Sequence, residues 1–186
     1  KGLEDAGMLH RWKDFFRASG ALAVDCYRRD IEAAMRSSMM SGFQLLDIQD
    51  FPGQGVATVG ILNAHMKSKG LVTPKEWRRY SAETVVLAEL DRFVYSASDE
   101  IECGLLVSST EPGFSAEKIL WELSVDGTVV DSGASDIREQ NGRIYRAQSV
   151  SLTISCDKPT EARLHISVEG EAENEYTLYI YPNIDI

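Results

Sequence analysis

Apolar positions along this chain change their spacing near residue 90. Upstream they recur every three or four residues: Leu9, Trp12, Phe15 and Phe16, in step with Ser19, and then, past Gly20, Val24, Tyr27, Ile31, Ala34 and Met35. That period predicts two amphipathic helices separated at Gly20, with their aromatic stripe turned into a core rather than toward a cofactor. A short apolar run (Phe43, Leu45, Leu46, Ile48) between Gly42 and Pro52 reads as a core strand that brings Asp47, Gln49 and Asp50 to its C-terminal end. Pro52, Gly53 and Gly55 forbid helix and ladder beyond it, so the chain must turn sharply there. Val56 to Met66 fits neither period, and Gly70 ends it. Thr73-Pro74-Lys75-Glu76 then supplies an N-cap, a proline at the first helical position and a Glu three residues after the cap, which predicts a short helix through Tyr80.

Beyond residue 90 the alternation is strand-like, and turn residues break it at short intervals. Expected strands are Arg92–Ala97, Ile101–Ser108, Ile119–Val125, Thr128–Ser132, Ala147–Ile154, Ala162–Glu169 and Tyr176–Tyr181. Asp126-Gly127 reads as a hairpin turn, with further corners at Asn141-Gly142 and Lys158-Pro159. Short antiparallel strands in this number match an immunoglobulin-like sandwich. The fold class is therefore α+β: a helical segment over 1–88 followed by an antiparallel β-sandwich over 89–186. The boundary falls between Glu83 and Arg92, with Thr84–Leu90 extended across it. A lone apolar strand fed by helices has no sheet of its own, so the first segment reads as the closing part of a (β/α) barrel, a fold of about 200 residues or more. The chain opens without Met, directly in helical sequence, and is expected to be a segment of something longer.

Charge and composition narrow the partners. A net charge of −10 argues against nucleic acid and anionic membrane surfaces, because phosphate binding needs clustered Lys and Arg. The pairs Arg28-Arg29 and Arg78-Arg79 read as solvated helix faces. No apolar run approaches the length of a membrane span, and the first residues are not a signal peptide. Cys26, Cys103 and Cys156 lie far apart with no Cys-x-x-Cys pair, and His10, His65 and His165 are equally scattered, so no metal site or cofactor is expected. Cys103 and Cys156 lie in strand-like segments that could meet across a sandwich, although buried free thiols are the simpler expectation.

Gly42-Phe-Gln-Leu-Leu-Asp47-Ile-Gln-Asp50-Phe51 resembles the last barrel strand of glycoside hydrolase family 2, the β-galactosidase and β-glucuronidase group. The longer run through Pro52-Gly-Gln-Gly55, with Ser68-Lys69-Gly70 and Thr73-Pro74 downstream, is similar to a branch of secreted or periplasmic bacterial proteins of that type. Their immunoglobulin-like domain ends in a segment like Asn174-Glu-Tyr-Thr-Leu-Tyr-Ile-Tyr181-Pro182. The resemblance implies a retaining glycosidase acting on β-linked sugars through two glutamates about 5 Å apart. In the family these follow the fourth and seventh barrel strands, upstream of Lys1, so no catalytic residue is assigned to this chain and the chain alone is expected to be inactive. Leu46 stands where many members carry a sugar-stacking Trp.

On that reading Asp47, Gln49, Asp50 and Gln54 are the candidate substrate-binding residues, since carboxylates and amides can exchange hydrogen bonds with sugar hydroxyls. A negative wall also favours an oxocarbenium-like transition state. Asp50, just before Phe-Pro-Gly, fits equally well as a cap on turn amides. The implied partner is carbohydrate, held together with the upstream barrel, and the implied location is periplasmic or extracellular. Self-association through the apolar faces of the N-terminal helices is a further expectation. The alternative is a non-catalytic carbohydrate-binding or interaction module. Against it, Trp121 alternates with Ile119 and Leu123 as an inward residue, and Tyr176, Tyr179 and Tyr181 are divided between two faces, leaving no exposed aromatic row.

Overall fold

The computed structural model describes residues 1–54 and 58–183, apart from the side chain of Gln54. It divides into two compact units, Lys1–Ala34 with Gly42–Trp77, and Met35–Ser41 with Arg78–Ile186. The fold is α+β with strands predominating among the described residues.

In the first unit a short helix α1 (Gly2–Asp5) precedes α2 (Trp12–Arg36), a continuous helix of 25 residues. The break expected at Gly20 is absent. A side chain at Gly20 would collide with Leu71, its Cβ falling 2.3 Å from Leu71 Cδ2, so this glycine admits a neighbour against the helix instead of ending it. A mid-helix glycine costs only about 1 kcal/mol, a penalty that close packing offsets. The aromatic stripe is also not core: Trp12, Phe15 and Phe16 remain about two-fifths to one-half exposed. The strand expected over Phe43–Ile48 does not form. Asp47 takes a left-handed backbone (φ 62°), which ends the side-chain alternation a strand needs, and the regular pairing reduces to a parallel bridge between Gln49 and Leu62. Helix α3 (Pro74–Arg78) begins as expected: Glu76 accepts from the Thr73 amide at 2.7 Å, and Thr73 Oγ1 accepts from the Glu76 amide at 3.2 Å.

The second unit is a curled, sandwich-like sheet. Its strands are β1 (Thr84–Glu89), β2 (Val94–Ser96), β3 (Glu100–Ser109), β4 (Lys118–Val125), β5 (Thr128–Asn141), β6 (Ile144–Ala147), β7 (Val150–Thr153), β8 (Thr160–Val168) and β9 (Ala172–Tyr181). They run in the order β1-β3-β6-β5-β4-β8-β9-β2, with β7 paired to the other end of β3. β5 joins the two layers, its first part paired with β4 and its last residues with β6 across a register shift at Ile137/Glu139. Inward residues of both layers, among them Val86, Leu105, Val107, Ile119, Leu123, Leu164, Ile166 and Leu178, form one dry core. Asp126-Gly127 makes the β4–β5 turn, both residues at positive φ as a type I′ hairpin requires. Trp121 faces inward, packed on the core and lying over Gly133, its partner on β5.

Two details depart from the expected sandwich. β2 pairs with β9 in parallel, so the sheet is mixed and not wholly antiparallel. The Thr84–Leu90 run is extended but is no bare connector: Val85, Val86, Leu87 and Ala88 are at most 1% exposed, and β1 pairs with β3 along its whole length. Residues 35–41 are tied to the same unit by Arg36, which donates to the Ala88 carbonyl at 3.0 Å, and by Arg143, which donates to the Ser37 carbonyl at 3.2 Å. The three cysteines are free, Cys103 within the core and Cys26 exposed.

Candidate functional site

The site residues expected from sequence fall on irregular backbone in the first unit, and they divide by what their side chains touch. Asp50 is committed to its own fold. Its Oδ1 accepts from the Gly60 amide at 3.1 Å and from Lys69 Nζ at 2.7 Å, with both side chains little more than one-tenth exposed. Lys69 also donates to the Thr58 carbonyl, and its amide bonds to the Ile61 carbonyl. The Asp50 amide and the Ile48 carbonyl both bond to Leu62, which makes Gln49 the centre of the parallel bridge. Gly60 has to be glycine here, because a Cβ would sit 2.3 Å from the Gln49 carbonyl carbon. The turn-capping role open to Asp50 in the sequence is therefore the one its contacts fill.

Asp47 is different. It lies exposed at the left-handed position, and its negative charge reaches Tyr27 on α2. Partial burial raises the Tyr27 phenol pKa first, and the Asp47 carboxylate raises it further, so the phenol stays protonated and able to donate across the neutral range. The Tyr27 hydroxyl donates to the Val59 carbonyl at 3.4 Å, and its ring meets Trp77 edge-on at 6.4 Å between centroids. Leu46, beside Asp47, is 77% exposed. With the Tyr27 proton given to Val59, what the segment offers a polyol is acceptors, the exposed Asp47 carboxylate and the Tyr27 oxygen. The side chain of Gln54 lies outside the described residues.

Tyr27, Gly60 and Lys69 are the members of this constellation that sequence reasoning did not place in it. Tyr27 carries only the helical spacing of a core residue, and Lys69 is 19 residues from its partner. No local pattern links them. Among the described residues no group of three His, Cys, Asp or Glu is arranged to hold a metal ion, and no helix is long and apolar enough to cross a membrane.

The profile of a domain of unknown function, DUF8488, matches residues 107–182. No curated protein matches the sequence. Among solved structures, a β-glucosidase from Listeria innocua in complex with glucose matches 55% of this chain and 16% of its own, at 10% identity and TM-score 0.40. The alkylpurine DNA glycosylase AlkC of Pseudomonas fluorescens, bound to DNA containing an abasic site analog, matches 54% of this chain and 31% of its own, at 13% identity and TM-score 0.36. A SusE-like protein matches 52% and 29%, at 10% identity and TM-score 0.28. The chain thus spans less than a third of each of these proteins, and likenesses of this strength carry no argument about activity.

Proposed function

We propose that this chain is the C-terminal portion of a β-glycoside-processing protein of the family 2 type. On this reading the first unit adjoins a barrel encoded upstream and lends Asp47 to a saccharide site. The residues resembling the family's last barrel strand support it, together with one structural observation that carries the reading: Asp50, Lys69 and Gly60 lock the turn after Gln49, leaving Asp47 open to solvent beside a protonated Tyr27. An exposed carboxylate next to a phenol suits sugar hydroxyls, and its charge suits a cationic, oxocarbenium-like transition state. Apolar side chains flanking the segment agree with a unit that packs against more protein, since Phe43, Ile48 and Phe51 are all more than one-third exposed. The reading carries with it export to the periplasm or beyond.

The test compares this chain with a longer one that includes the residues encoded upstream. The present chain should hydrolyse nitrophenyl β-glycosides no faster than buffer, and the longer chain should turn over at least one. In the longer chain Asp47→Asn should raise KM or lower kcat by about tenfold, the scale of one lost charge-assisted hydrogen bond. Turnover by the present chain, or upstream sequence without barrel-type βα units, would sink the proposal.

A further inference from the structure

The outer face of the β unit carries a groove whose origin lies in the strand order. At Gly104, β3 changes neighbours on both sides. β1 stops at Glu89, the residue paired with Gly104, and on the other flank β6 stops at Ala147 while β7 starts at Val150, opposite Cys103. The crossing residues between β6 and β7 are pulled toward β5, with the Gln148 amide bonded to the Asp136 carbonyl and the Gln148 carbonyl accepting from the Ser135 hydroxyl. A strand position without a side chain, Gly104, is thus left at the floor of an opening.

Two cavities meet there, about 550 Å³ on the β6 side and about 670 Å³ on the β2 side, and both are lined by Glu89, Gly104 and Ser149. Each lies within the size range of small-molecule clefts. A Cβ at Gly104 would sit 3.0 Å from Glu89 Oε2 and 3.2 Å from Glu89 Cβ, so a larger residue here would press on the Glu89 side chain. Over it Arg146 reaches across β3 and forks onto Glu89, at 2.6 and 3.2 Å to the two carboxylate oxygens. The fork holds both planar groups at the open surface, each more than one-third exposed, where their remaining donor and acceptor positions face the groove.

The chemistry of the lining selects the ligand. Five carboxylates and three guanidinium groups line the two cavities, together with Gln148 and Ser149, so donors and acceptors are interleaved while the net charge is negative. An anion is repelled, an apolar ligand finds little to bury and a cation would use the carboxylates alone, whereas an uncharged molecule bearing many hydroxyl groups can use both signs. We propose that this groove binds a neutral oligosaccharide, with Gly104 admitting the chain close to the sheet and the Glu89–Arg146 fork, Arg138 and Gln148 engaging its hydroxyls. The choice of a β-linked sugar rests on the carbohydrate reading above; the location and charge preference rest on the groove itself.

The full chain, labelled with nitrogen-15, is titrated with cellotetraose, laminaritetraose and, as an anionic control, trigalacturonate, each up to about 10 mM, a range that captures weak lectin-like binding. Saturable amide shifts at Gly104, Gln148 and Ser149 with a neutral sugar, and none with the anionic one, are the expected result. Arg138→Ala and Gln148→Ala alter exposed side chains, so they should keep the spectrum of the folded chain and weaken binding by about tenfold. Absence of saturable shifts at the groove with either neutral sugar overturns the proposal, as does binding that both variants leave unchanged. Shifts confined to Asp47 and its neighbours overturn it while sparing the barrel-wall reading, and failure of the longer chain to hydrolyse glycosides leaves the groove standing if its shifts are present.

Discussion

Tyr176→Phe should destabilise the β unit out of proportion to the one oxygen it removes. Asn174 and Tyr176 lie on β9 in one layer, and both reach β1 in the other. Asn174 Nδ2 donates to the Val86 carbonyl at 3.1 Å and to the Tyr176 hydroxyl at 3.2 Å, and that hydroxyl accepts from the Ala88 amide at 3.2 Å. Asn174 is 0% exposed, Tyr176 3% and Ala88 1%, so water cannot replace a lost partner. Removing the hydroxyl strands a buried amide, which costs about 1–3 kcal/mol, against about 1 kcal/mol for an ordinary net hydrogen bond. Asn174→Ala adds a small cavity to the lost bonds and should cost about 2–4 kcal/mol. Because the two variants share the Asn174–Tyr176 bond, the double variant should lose less than their sum by at least about 0.5 kcal/mol. Urea denaturation followed by circular dichroism measures all three, and in a unit of this size each kcal/mol should also lower Tm by about 4 °C. A Tyr176→Phe midpoint within about 0.5 kcal/mol of the parent, or strict additivity in the double variant, would refute the account of this pair as a buried inter-layer bridge.

Three further outcomes follow from the same structure. Asp50→Ala strands the Lys69 ammonium, whose side chain is 12% exposed, and should lower the stability of the first unit by about 2–4 kcal/mol; Asp50→Ala with Lys69→Met should recover much of it, and exchange of the Gly60 amide reports both. Burial, and secondarily the Glu89 charge, pushes the Cys103 thiol up to about 12 from 9.0, so the unfolded chain gives up this proton first and stability should fall as pH rises from about 9 toward 12. Below that window the contribution is fully present; Cys103→Ala should flatten the slope, and a thiol reagent at pH 8 should label Cys26 in the folded chain but Cys103 only after unfolding. The exposed Leu9, Trp12, Phe15 and Phe16 should drive self-association of the isolated chain, seen by sedimentation and abolished by Trp12→Glu with Phe16→Glu.

What could be read in advance was whatever is written locally. The alternation of Ala162, Leu164, Ile166 and Val168 records one dry face and one wetter one, as does the first half of β3 at Ile101 and Cys103 before that strand becomes buried on both faces at Leu105, and each of those runs is a strand. The capping box at Thr73 and the turn at Asp126-Gly127 carry their geometry within four residues. β1 escaped recognition as part of the sheet because Val85 to Ala88 is buried on both faces, which erases the period-two signal. β5 was legible only as far as Ser132, since its residues are almost all exposed and offer no apolar rhythm at all. Gly20 misled in the opposite sense: a residue that usually interrupts a helix is here the gap that receives Leu71, and that partner lies 51 positions away.

The same contrast explains the candidate site. A carboxylate before Phe-Pro-Gly announces its chemistry in sequence, but whether it faces a ligand or its own fold is decided by a lysine and a glycine that come later in the chain. In Asp50 both lone partners are internal, Lys69 Nζ and the Gly60 amide, and Gly60 is held there by direct contact with the Gln49 backbone. That commitment has a consequence for Asp47. The turn that follows is held by these bonds and by the Leu62 bridge, while the Asp47 carboxylate stays exposed and its charge acts on Tyr27. Asp47→Gly should therefore leave the turn intact, because glycine accepts a φ of 62° at little cost, and should lower the Tyr27 pKa by removing the nearby negative charge. Ultraviolet titration of the phenol absorbance in Asp47→Gly and the parent tests this. A Tyr27 that titrates identically in both would mean that the two groups do not share a site, and would take from Asp47 its claim to be the polar contact this segment offers to a ligand.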